Sequence, residues 1–255
     1  MAPCTSGKYD PQLPVGVSDY GNDNADRMVS YLNEQGIDTI DLRERMHEDG
    51  INHYDMMYRT DHHWNTKAGF YAYQVLEEYI VNQIGCHVDP RISDESQYTI
   101  RTYENWHLGS RGQRTGVLFA GIDDFDLYLP NFETKILGAG KEGNMQDVAI
   151  SMEPLANRKQ TSKYTYDWVF DPTFGRYVSQ TADNDIKLMM LADSFGKAVN
   201  PYLIMAFSEF TGVFNMQVSS VNPEFIEQYD PDVVVMLYFP ESAMKEESYS
   251  FQGFE

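Results

Sequence analysis

Three apolar runs in the last third of the chain constrain the fold most. Residues 186–192 read IKLMMLA and residues 232–239 read DVVVMLYF, and runs without polar alternation are typical of strands buried on both faces. Residues 212–218 form a third run between them, and the pairs Asn200-Pro201 and Asn222-Pro223 open helices in the two intervals. Alternating strands and helices favour a parallel sheet with helices on its faces. The sequence therefore predicts an α/β fold whose ligands bind beyond the carboxyl ends of the strands.

Two helices are predicted in the first third. Apolar residues recur at helical spacing over residues 24–35 and 66–84, and Gly36 and Gly85 stand where C-terminal caps are expected. A short β-like run, residues 37–42, follows the first helix and predicts a strand beside it.

One large domain is the natural expectation for 255 residues. Residues 1–21 are rich in proline, glycine and serine, and are predicted to form an irregular lead-in to a single domain of residues 22–255. Within that domain, residues 98–180 carry many Gly, Tyr and Asp residues. They also contain short β-like runs, at 116–120, 125–129 and 147–152. This part is predicted to be a β-rich insertion or an extra sheet layer.

The charge balance argues against anionic partners. The chain has 19 basic and 39 acidic residues and a formal net charge of −20. A field of that sign repels phosphate backbones and anionic lipid surfaces, so nucleic-acid binding is not expected.

No stretch approaches the ~20 apolar residues that cross a bilayer, and the first residues lack the pattern of a signal peptide. The chain as written is expected to be soluble, and a native signal or anchor would have been left off.

A serine stands where a buried strand is predicted to turn into a helix. Ser194, within LADSFG, lies two residues past the end of the run at 186–192. There its hydroxyl is exposed, and backbone N–H groups and the positive end of the helix dipole point towards the reaction centre. These are the requirements of a nucleophile that forms a tetrahedral oxyanion. The alternative is that Ser194 only caps the turn; Asp193 is expected to brace it.

The sequence TDHHW, residues 60–64, supplies the groups that activate a serine. A serine nucleophile needs a histidine base that a carboxylate orients. Asp61 and His63 are two residues apart in a loop that enters a helix, so both can face one point. His63 would take the Ser194 proton while Asp61 fixes its tautomer, and His62 is expected to face away.

A metal site is the competing interpretation of the same motif. Such a site needs three or more converging ligands. The other candidates lack ligand-like spacing: His53, Asp55, His87 and His107. The two cysteines, Cys4 and Cys86, form no CxxC pattern, and a disulfide between them is possible but not favoured. Neither a metal nor a cofactor is predicted.

The two motifs together resemble those of a known family. TDHHW followed by a helix beginning NTKAGFYAY, and a later strand ending in DSF, resemble the DHHW family. That family is related to the AlgX/AlgJ group of alginate O-acetyltransferases, whose core is SGNH-hydrolase-like. In that group an Asp-x-His-Trp motif precedes the serine motif, as it does here. The resemblance covers residues 27–120 and 186–240. It implies an SGNH-hydrolase-like parallel sheet flanked by helices and a triad of Ser194, His63 and Asp61.

The resemblance also suggests what surrounds the triad. The segment GSRGQRTG resembles the glycine-rich loop of the family, so Gly109, Ser110 and Arg111 are expected to bind the oxyanion or the substrate together with the Ser194 amide. A simple cluster of turns is the alternative. Among the aromatic residues, Trp64 adjoins the proposed base and is the best candidate to stack on a sugar ring.

The function that the resemblance implies is O-acetylation of a cell-surface or secreted polysaccharide through a serine acyl-enzyme. It also implies a membrane O-acyltransferase of the MBOAT type as donor partner, and a location outside the cell, at its surface or in the periplasm. Two alternatives remain, an SGNH-type carbohydrate acetyl esterase and a non-catalytic glycan-binding or assembly protein of the same fold. The residues do not separate the transferase from the esterase, because the difference between these two lies in water exclusion and acceptor binding.

Overall fold

The computed structural model describes residues 1–3, 6–156 and 165–254. The helices are α1 (Tyr20–Glu34), α2 (Leu42–Glu48), α3 (Thr66–Ile84), α4 (Ser110–Thr115), α5 (Val117–Ala120), α6 (Met145–Ala149), α7 (Glu153–Ala156), α8 (Thr165–Phe170), α9 (Asn200–Ala206), α10 (Pro223–Tyr229) and α11 (Pro240–Ala243). The strands are β1 (Tyr98–His107), β2 (Asp123–Pro130), β3 (Ile136–Gly138), β4 (Lys141–Gly143), β5 (Gly175–Ser179), β6 (Lys187–Ala192), β7 (Glu209–Phe214) and β8 (Val233–Leu237).

The main sheet has six strands in the order β4-β3-β5-β7-β6-β8, and β1 and β2 form a separate antiparallel pair. The predicted α/β fold with a helix-flanked sheet is confirmed. The prediction of a parallel sheet is wrong for three of its five strand pairings: β6 pairs in parallel with β7 and β8, whereas the β4-β3-β5-β7 pairings are antiparallel. The turn between β3 and β4 shows why. Ala139 and Gly140 both have positive φ, and such a two-residue turn joins antiparallel strands, while a parallel pair needs a long crossover.

Local capping explains where the predicted elements succeed and fail. The helix predicted at residues 66–84 is confirmed as α3, with the Asn65 side chain accepting from the Ala68 amide and Gly85 in the left-handed C-cap. The strand predicted at residues 37–42 is wrong, because the Asp41 side chain caps α2 instead. Two of the predicted β-runs are also wrong. Residues 116–120 and 147–152 overlap α5 and α6, so that only the run at 125–129 is a strand.

The division into a lead-in of residues 1–21 and a domain of residues 22–255 stays a prediction. The described part of residues 98–180 contains β1 to β5 and several short helices, and β3, β4 and β5 extend the main sheet rather than a separate layer. Of the two cysteines, Cys86 is a free thiol and Cys4 lies outside the described residues. Among the described helices, none combines the length and the apolar character that crossing a membrane requires.

The central strand of the parallel part leads to the candidate site. Residues 188–192 of β6 are all buried, whereas β8 is an edge strand whose Val234 and Met236 are 50% and 39% exposed. A 3₁₀ turn, Ser194–Ala198, follows β6, and α3 packs on it so closely that a Cβ at Gly69 would lie 2.5 Å from that of Ala198. An apolar cavity of about 690 Å³ lies between α1, α3 and β8, and no residue of the predicted triad lines it.

Candidate active site

Three side chains from the two sequence motifs form a hydrogen-bonded chain. The Ser194 hydroxyl lies 2.6 Å from His63 Nε2, and His63 Nδ1 lies 2.8 Å from Asp61 Oδ2. Because an ionised carboxylate only accepts, Nδ1 carries the ring proton, and the lone pair of Nε2 faces the Ser194 hydroxyl. His63 and Asp61 are buried, while Ser194 is partly exposed. The arrangement can therefore move a proton from an accessible hydroxyl to a buried, oriented base.

The loop that carries Asp61 and His63 is held at its base. Met57 and Trp64 form an isolated antiparallel bridge, and the Tyr58 amide donates to the His63 carbonyl. The backbone N–H and hydroxyl of Thr60 both donate to Asp123 Oδ2, at 2.8 and 2.6 Å. The loop thus closes like a hairpin, and the two side chains that are two residues apart point the same way.

Asp61 receives more donors than an ordinary triad carboxylate. Its Oδ2 accepts from His107 Nε2 at 3.1 Å as well as from His63. Its Oδ1 accepts from the Ser110 amide and hydroxyl, at 3.1 and 3.0 Å, and from the His62 amide at 2.8 Å. Burial raises the pKa of Asp61, but the hydrogen bonds from His107, His62 and His63 outweigh it and hold that pKa far below its usual range. The carboxylate therefore stays ionised beside the base.

His62 and His107 are placed differently from the sequence-based expectation. His62 does not face away, since its Nδ1 lies 3.0 Å from Asp61 Oδ1 and its ring lies on that of His63 at 3.9 Å between centroids. His107, considered only as a metal ligand, ends β1 with its ring 1% exposed beside Asp61. No local pattern in the sequence pointed to this contact, because it spans 46 residues.

Asp193 braces the turn that presents Ser194, as expected. Its Oδ1 accepts from the Phe195 amide at 2.9 Å and its Oδ2 from the Phe239 amide at 2.8 Å, which ties the end of β6 to the segment after β8. Burial raises the pKa of Asp193 in spite of these bonds. Among the described residues, no acceptor is found for the Ser194 amide, which opens the 3₁₀ turn. That amide can serve as a donor to a substrate oxygen.

The prediction that Trp64 stacks on a sugar is wrong. Its side chain is fully buried, and no ligand can reach its ring. Its indole N–H instead faces the Phe195 carbonyl at 3.1 Å and the Tyr166 hydroxyl at 3.2 Å. The Tyr166 hydroxyl donates to the Ser194 carbonyl at 3.0 Å, and its ring stacks on that of His63 at 4.7 Å. The two aromatic residues thus fix the spacing between His63 and Ser194.

The predicted oxyanion loop supports Asp61 instead. The Gly109 amide donates to the Thr60 hydroxyl at 3.0 Å and the Ser110 amide to Asp61, so neither amide is available to a substrate oxyanion. A Cβ at Gly109 would lie 2.1 Å from that of Asp61, which is why this position needs glycine. Arg111 is half-buried, and burial lowers its pKa while the charge of Asp61 opposes this. Arg111 is thus near the site, and its role stays a prediction.

The same cluster also contains candidate ligands for a metal ion. Asp61, His62 and His63 offer ligand atoms that lie within 4.8 Å of one another. These atoms already form hydrogen bonds with each other and with Ser110 and Ser194. A metal ion would have to displace this network, because it needs lone pairs that converge on one point rather than N–H groups that face a carboxylate. The donor set fits a hydrogen-bonded triad.

The chain is similar to several known proteins in sequence or in fold. Residues 9–107 match the family model of the SGNH hydrolase-like domain of acetyltransferase AlgX, a range that includes TDHHW and ends before Ser194. No curated protein matches the sequence significantly. PatB1 of Bacillus cereus, solved with a sulfonyl adduct, is 19% identical with a TM-score of 0.73, over 94% of this chain and 79% of that one.

Two further solved structures share the fold. A DHHW family protein from Eubacterium siraeum is 19% identical with a TM-score of 0.65, over 97% of this chain and 78% of that one. The O-acetyltransferase domain of Pseudomonas putida AlgJ is 11% identical with a TM-score of 0.53, over 94% of this chain and 72% of that one. The predicted resemblance is therefore confirmed, and the chain has an SGNH-hydrolase-like fold similar to those of the DHHW and AlgX/AlgJ proteins.

Proposed function

We propose that this chain is a serine-dependent O-acetyltransferase that passes an acetyl group through Ser194 to a hydroxyl group of a polysaccharide. The observation that carries the proposal is the 2.6 Å contact between Ser194 Oγ and His63 Nε2, with Asp61 on the other ring nitrogen. Nucleophile and base pairs act over ~2.6–3.2 Å. The AlgX family match and the likeness to an AlgJ O-acetyltransferase domain support acetyl as the group transferred.

In the first half-reaction, the Ser194 oxygen attacks the carbonyl carbon of an acetyl ester. Its proton moves to His63 Nε2, and the ionised Asp61 stabilises the resulting imidazolium. The tetrahedral intermediate collapses as the bond to the donor alcohol breaks, and the leaving oxygen takes the proton from His63. The products are an acetylated Ser194 and the donor alcohol.

In the second half-reaction, an acceptor hydroxyl takes the place of the donor alcohol. His63 Nε2 removes the proton of the acceptor hydroxyl while the acceptor oxygen attacks the acetyl carbon. The collapse of the second intermediate releases the acetylated acceptor and returns the proton to Ser194. Water in place of the sugar hydroxyl would make the same triad an esterase, so the identity of the acceptor alone decides between the two activities.

The oxyanion of both intermediates needs hydrogen-bond donors. The Ser194 amide is the first of them, since it has no acceptor among the described residues. The amides of Gly109 and Ser110 are engaged with Thr60 and Asp61. We assign the second donor to the guanidinium of Arg111, which is half-buried and within electrostatic reach of Asp61.

The donor and the location follow from the family resemblance. A membrane O-acyltransferase of the MBOAT type would supply the acetyl group, and the acceptor polysaccharide would lie at the cell surface, in the periplasm or outside the cell. The net charge of −20 suits a neutral or cationic glycan better than a polyanion.

Capture of the acyl-enzyme tests the nucleophile. The protein is incubated with an activated acetyl ester or with a sulfonyl fluoride, and the labelled residue is identified by mass spectrometry. Labelling of Ser194 is expected in the wild type and in Ser219→Ala, which removes an exposed serine, and is expected to vanish in Ser194→Ala. A wild type that takes up no label would favour the non-catalytic glycan-binding protein.

Acceptor dependence separates the transferase from the esterase. Acetate release and glycan acetylation are measured from one acetyl ester, with and without neutral and cationic polysaccharides. A transferase shifts the product from acetate to acetylated glycan as the acceptor concentration rises. Acetate release that no acceptor changes would identify the esterase and overturn the transferase proposal.

A further inference from the structure

A second buried histidine shares the carboxylate oxygen that orients the base. His107 Nε2 lies 3.1 Å from Asp61 Oδ2, the same atom that lies 2.8 Å from His63 Nδ1. His107 is 1% exposed, and its other ring nitrogen, Nδ1, has no hydrogen-bond partner among the described residues. The proposed mechanism does not use this residue.

The surroundings of His107 define which nitrogen carries its proton. Asp61 Oδ2 only accepts, so Nε2 must donate. A second proton on Nδ1 would be a buried donor without an acceptor, which costs stability. The face of the ring packs on Tyr58, with centroids 4.5 Å apart. His107 thus donates one hydrogen bond to Asp61, from Nε2.

We propose that His107 is a positioning residue that holds Asp61 in place and moderates its pull on His63. This role rests on the proposed function, since it acts through the same triad. With His107 on Oδ2, and with His62 and Ser110 on Oδ1, the carboxylate plane is held from both sides and cannot rotate away from His63. Among the contacts that oppose the burial of Asp61, the bond from His107 lowers its pKa most.

Removing this donor has a predictable direction. A carboxylate with fewer donors holds more negative charge at Oδ2, so it stabilises the protonated form of His63 more strongly. The titration of His63 then moves to higher pH, and the acid limb of the pH–rate profile moves with it. One net hydrogen bond corresponds to about half to one pH unit.

The other groups around His63 are common to the wild type and to all the variants of residue 107. Among the described residues, the other titratable and charged side chains near His63 or Asp61 are His62 from the same loop, Arg111 from α4, Tyr58, Tyr166 from α8 and Asp193 after β6. A change of residue 107 leaves each of them in the chain. A shift that depends on residue 107 is therefore attributable to the bond with Asp61.

Two amide substitutions show whether a donor at the position of Nε2, and not merely a polar side chain, is required. Glutamine places its side-chain nitrogen near the position of Nε2 and can still donate to Asp61, whereas asparagine is too short and reaches only the position of Nδ1. His107→Gln and His107→Asn are compared with the wild type and with Tyr58→Phe, which removes a hydroxyl without touching the bond. His107→Leu serves as a second non-donor if His107→Asn does not fold.

The titration of His63 is followed by NMR of protein with isotope-labelled imidazole rings, and the pH dependence of acetyl-ester turnover is measured alongside. A rise of about half to one pH unit in His107→Asn or His107→Leu is expected, with wild-type behaviour in His107→Gln and Tyr58→Phe. An unchanged His63 titration in a folded non-donor variant would overturn the positioning role. The NMR titration does not need turnover, so an inactive wild type would contradict the proposed function while leaving this test readable.

Discussion

The indole N–H of Trp64 donates a hydrogen bond to the carbonyl oxygen of Phe195 across 3.1 Å. This bond joins the loop of Asp61 and His63 to the turn of Ser194, although 131 residues separate the partners along the chain. Because Trp64 is fully buried, its side chain supports the spacing between His63 and Ser194, the proposed base and nucleophile, and is not accessible to a substrate.

Trp64→Phe is expected to lower both stability and turnover. Phenylalanine cannot donate, so the buried Phe195 carbonyl loses this donor at a cost of ~1–3 kcal/mol, and the smaller ring leaves a cavity. Urea unfolding and acetyl-ester turnover measure the two effects. Trp168→Phe, at a side chain that is 38% exposed, is the control and is expected to change both less. A Trp64→Phe protein with normal stability and turnover but weaker glycan binding would restore the sugar-stacking role.

Tyr166→Phe is expected to reduce kcat and leave KM unchanged. The substitution removes the hydroxyl that donates to the Ser194 carbonyl at 3.0 Å but keeps the ring that stacks on His63. One such bond corresponds to a roughly tenfold loss of rate. Tyr166→Leu removes the ring as well and is expected to lose more. Steady-state kinetics of the two variants tests this, and equal losses would show that the hydroxyl alone matters.

Gly109→Ala is expected to destabilise the protein and to impair turnover. The new Cβ would lie 2.1 Å from the Cβ and 2.3 Å from the Cγ of Asp61, so the triad carboxylate must move. Overpacking of this kind costs ~1–3 kcal/mol. Gly143→Ala is the matched control, because the nearest atom to its Cβ, on Asp147, lies at 3.5 Å. Thermal unfolding and turnover that respond equally to both substitutions would contradict the close approach of Gly109 to Asp61.

Asp61 is expected to make stability depend on pH on the acidic side. A carboxylate whose pKa is depressed in the folded state contributes stability above its unfolded pKa of about 3.9, and this contribution is lost as the pH falls below that value. The side chain of Asp61→Asn cannot ionise, so this variant is expected to be less stable than the wild type near neutral pH. Its free energy of unfolding is expected to approach that of the wild type in acid. Urea unfolding between about pH 3 and pH 7 measures this difference. A stability difference that does not vary with pH would contradict a depressed pKa of Asp61 in the folded state.

Local patterns predicted the parts of the site that depend on neighbouring residues. Asn65 and Gly85 delimit α3, and the apolar run before Ser194 is the buried strand β6. Both signals are short-range, because capping and burial on two faces act over a few residues. The strand predicted at residues 37–42 is absent because two local signals conflict there. The Asp41 cap, which starts α2, outweighs the β-like composition of the run.

The direction of the strands from residues 98–180 and the partners of Asp61 required the tertiary structure. The pairing of β3 and β5 with the rest of the sheet depends on turns and long-range contacts, and the apolar runs do not encode it. His107 and Ser110 reach Asp61 from the end of β1 and the start of α4, across 46 and 49 residues. The burial of Trp64 has the same origin, because exposure is set by what packs around a residue.

Residue type and position in the chain single out Asp61, His63 and Ser194 as candidates, because TDHHW precedes a helix and Ser194 follows a buried run. How these side chains are supported depends on the fold, with Trp64 and Tyr166 between His63 and Ser194, and His107 and Ser110 on the Asp61 carboxylate. The difference is one of range. Capping and strand burial leave a local pattern in the chain, whereas hydrogen bonds between distant segments form only when the packing of the core brings them together.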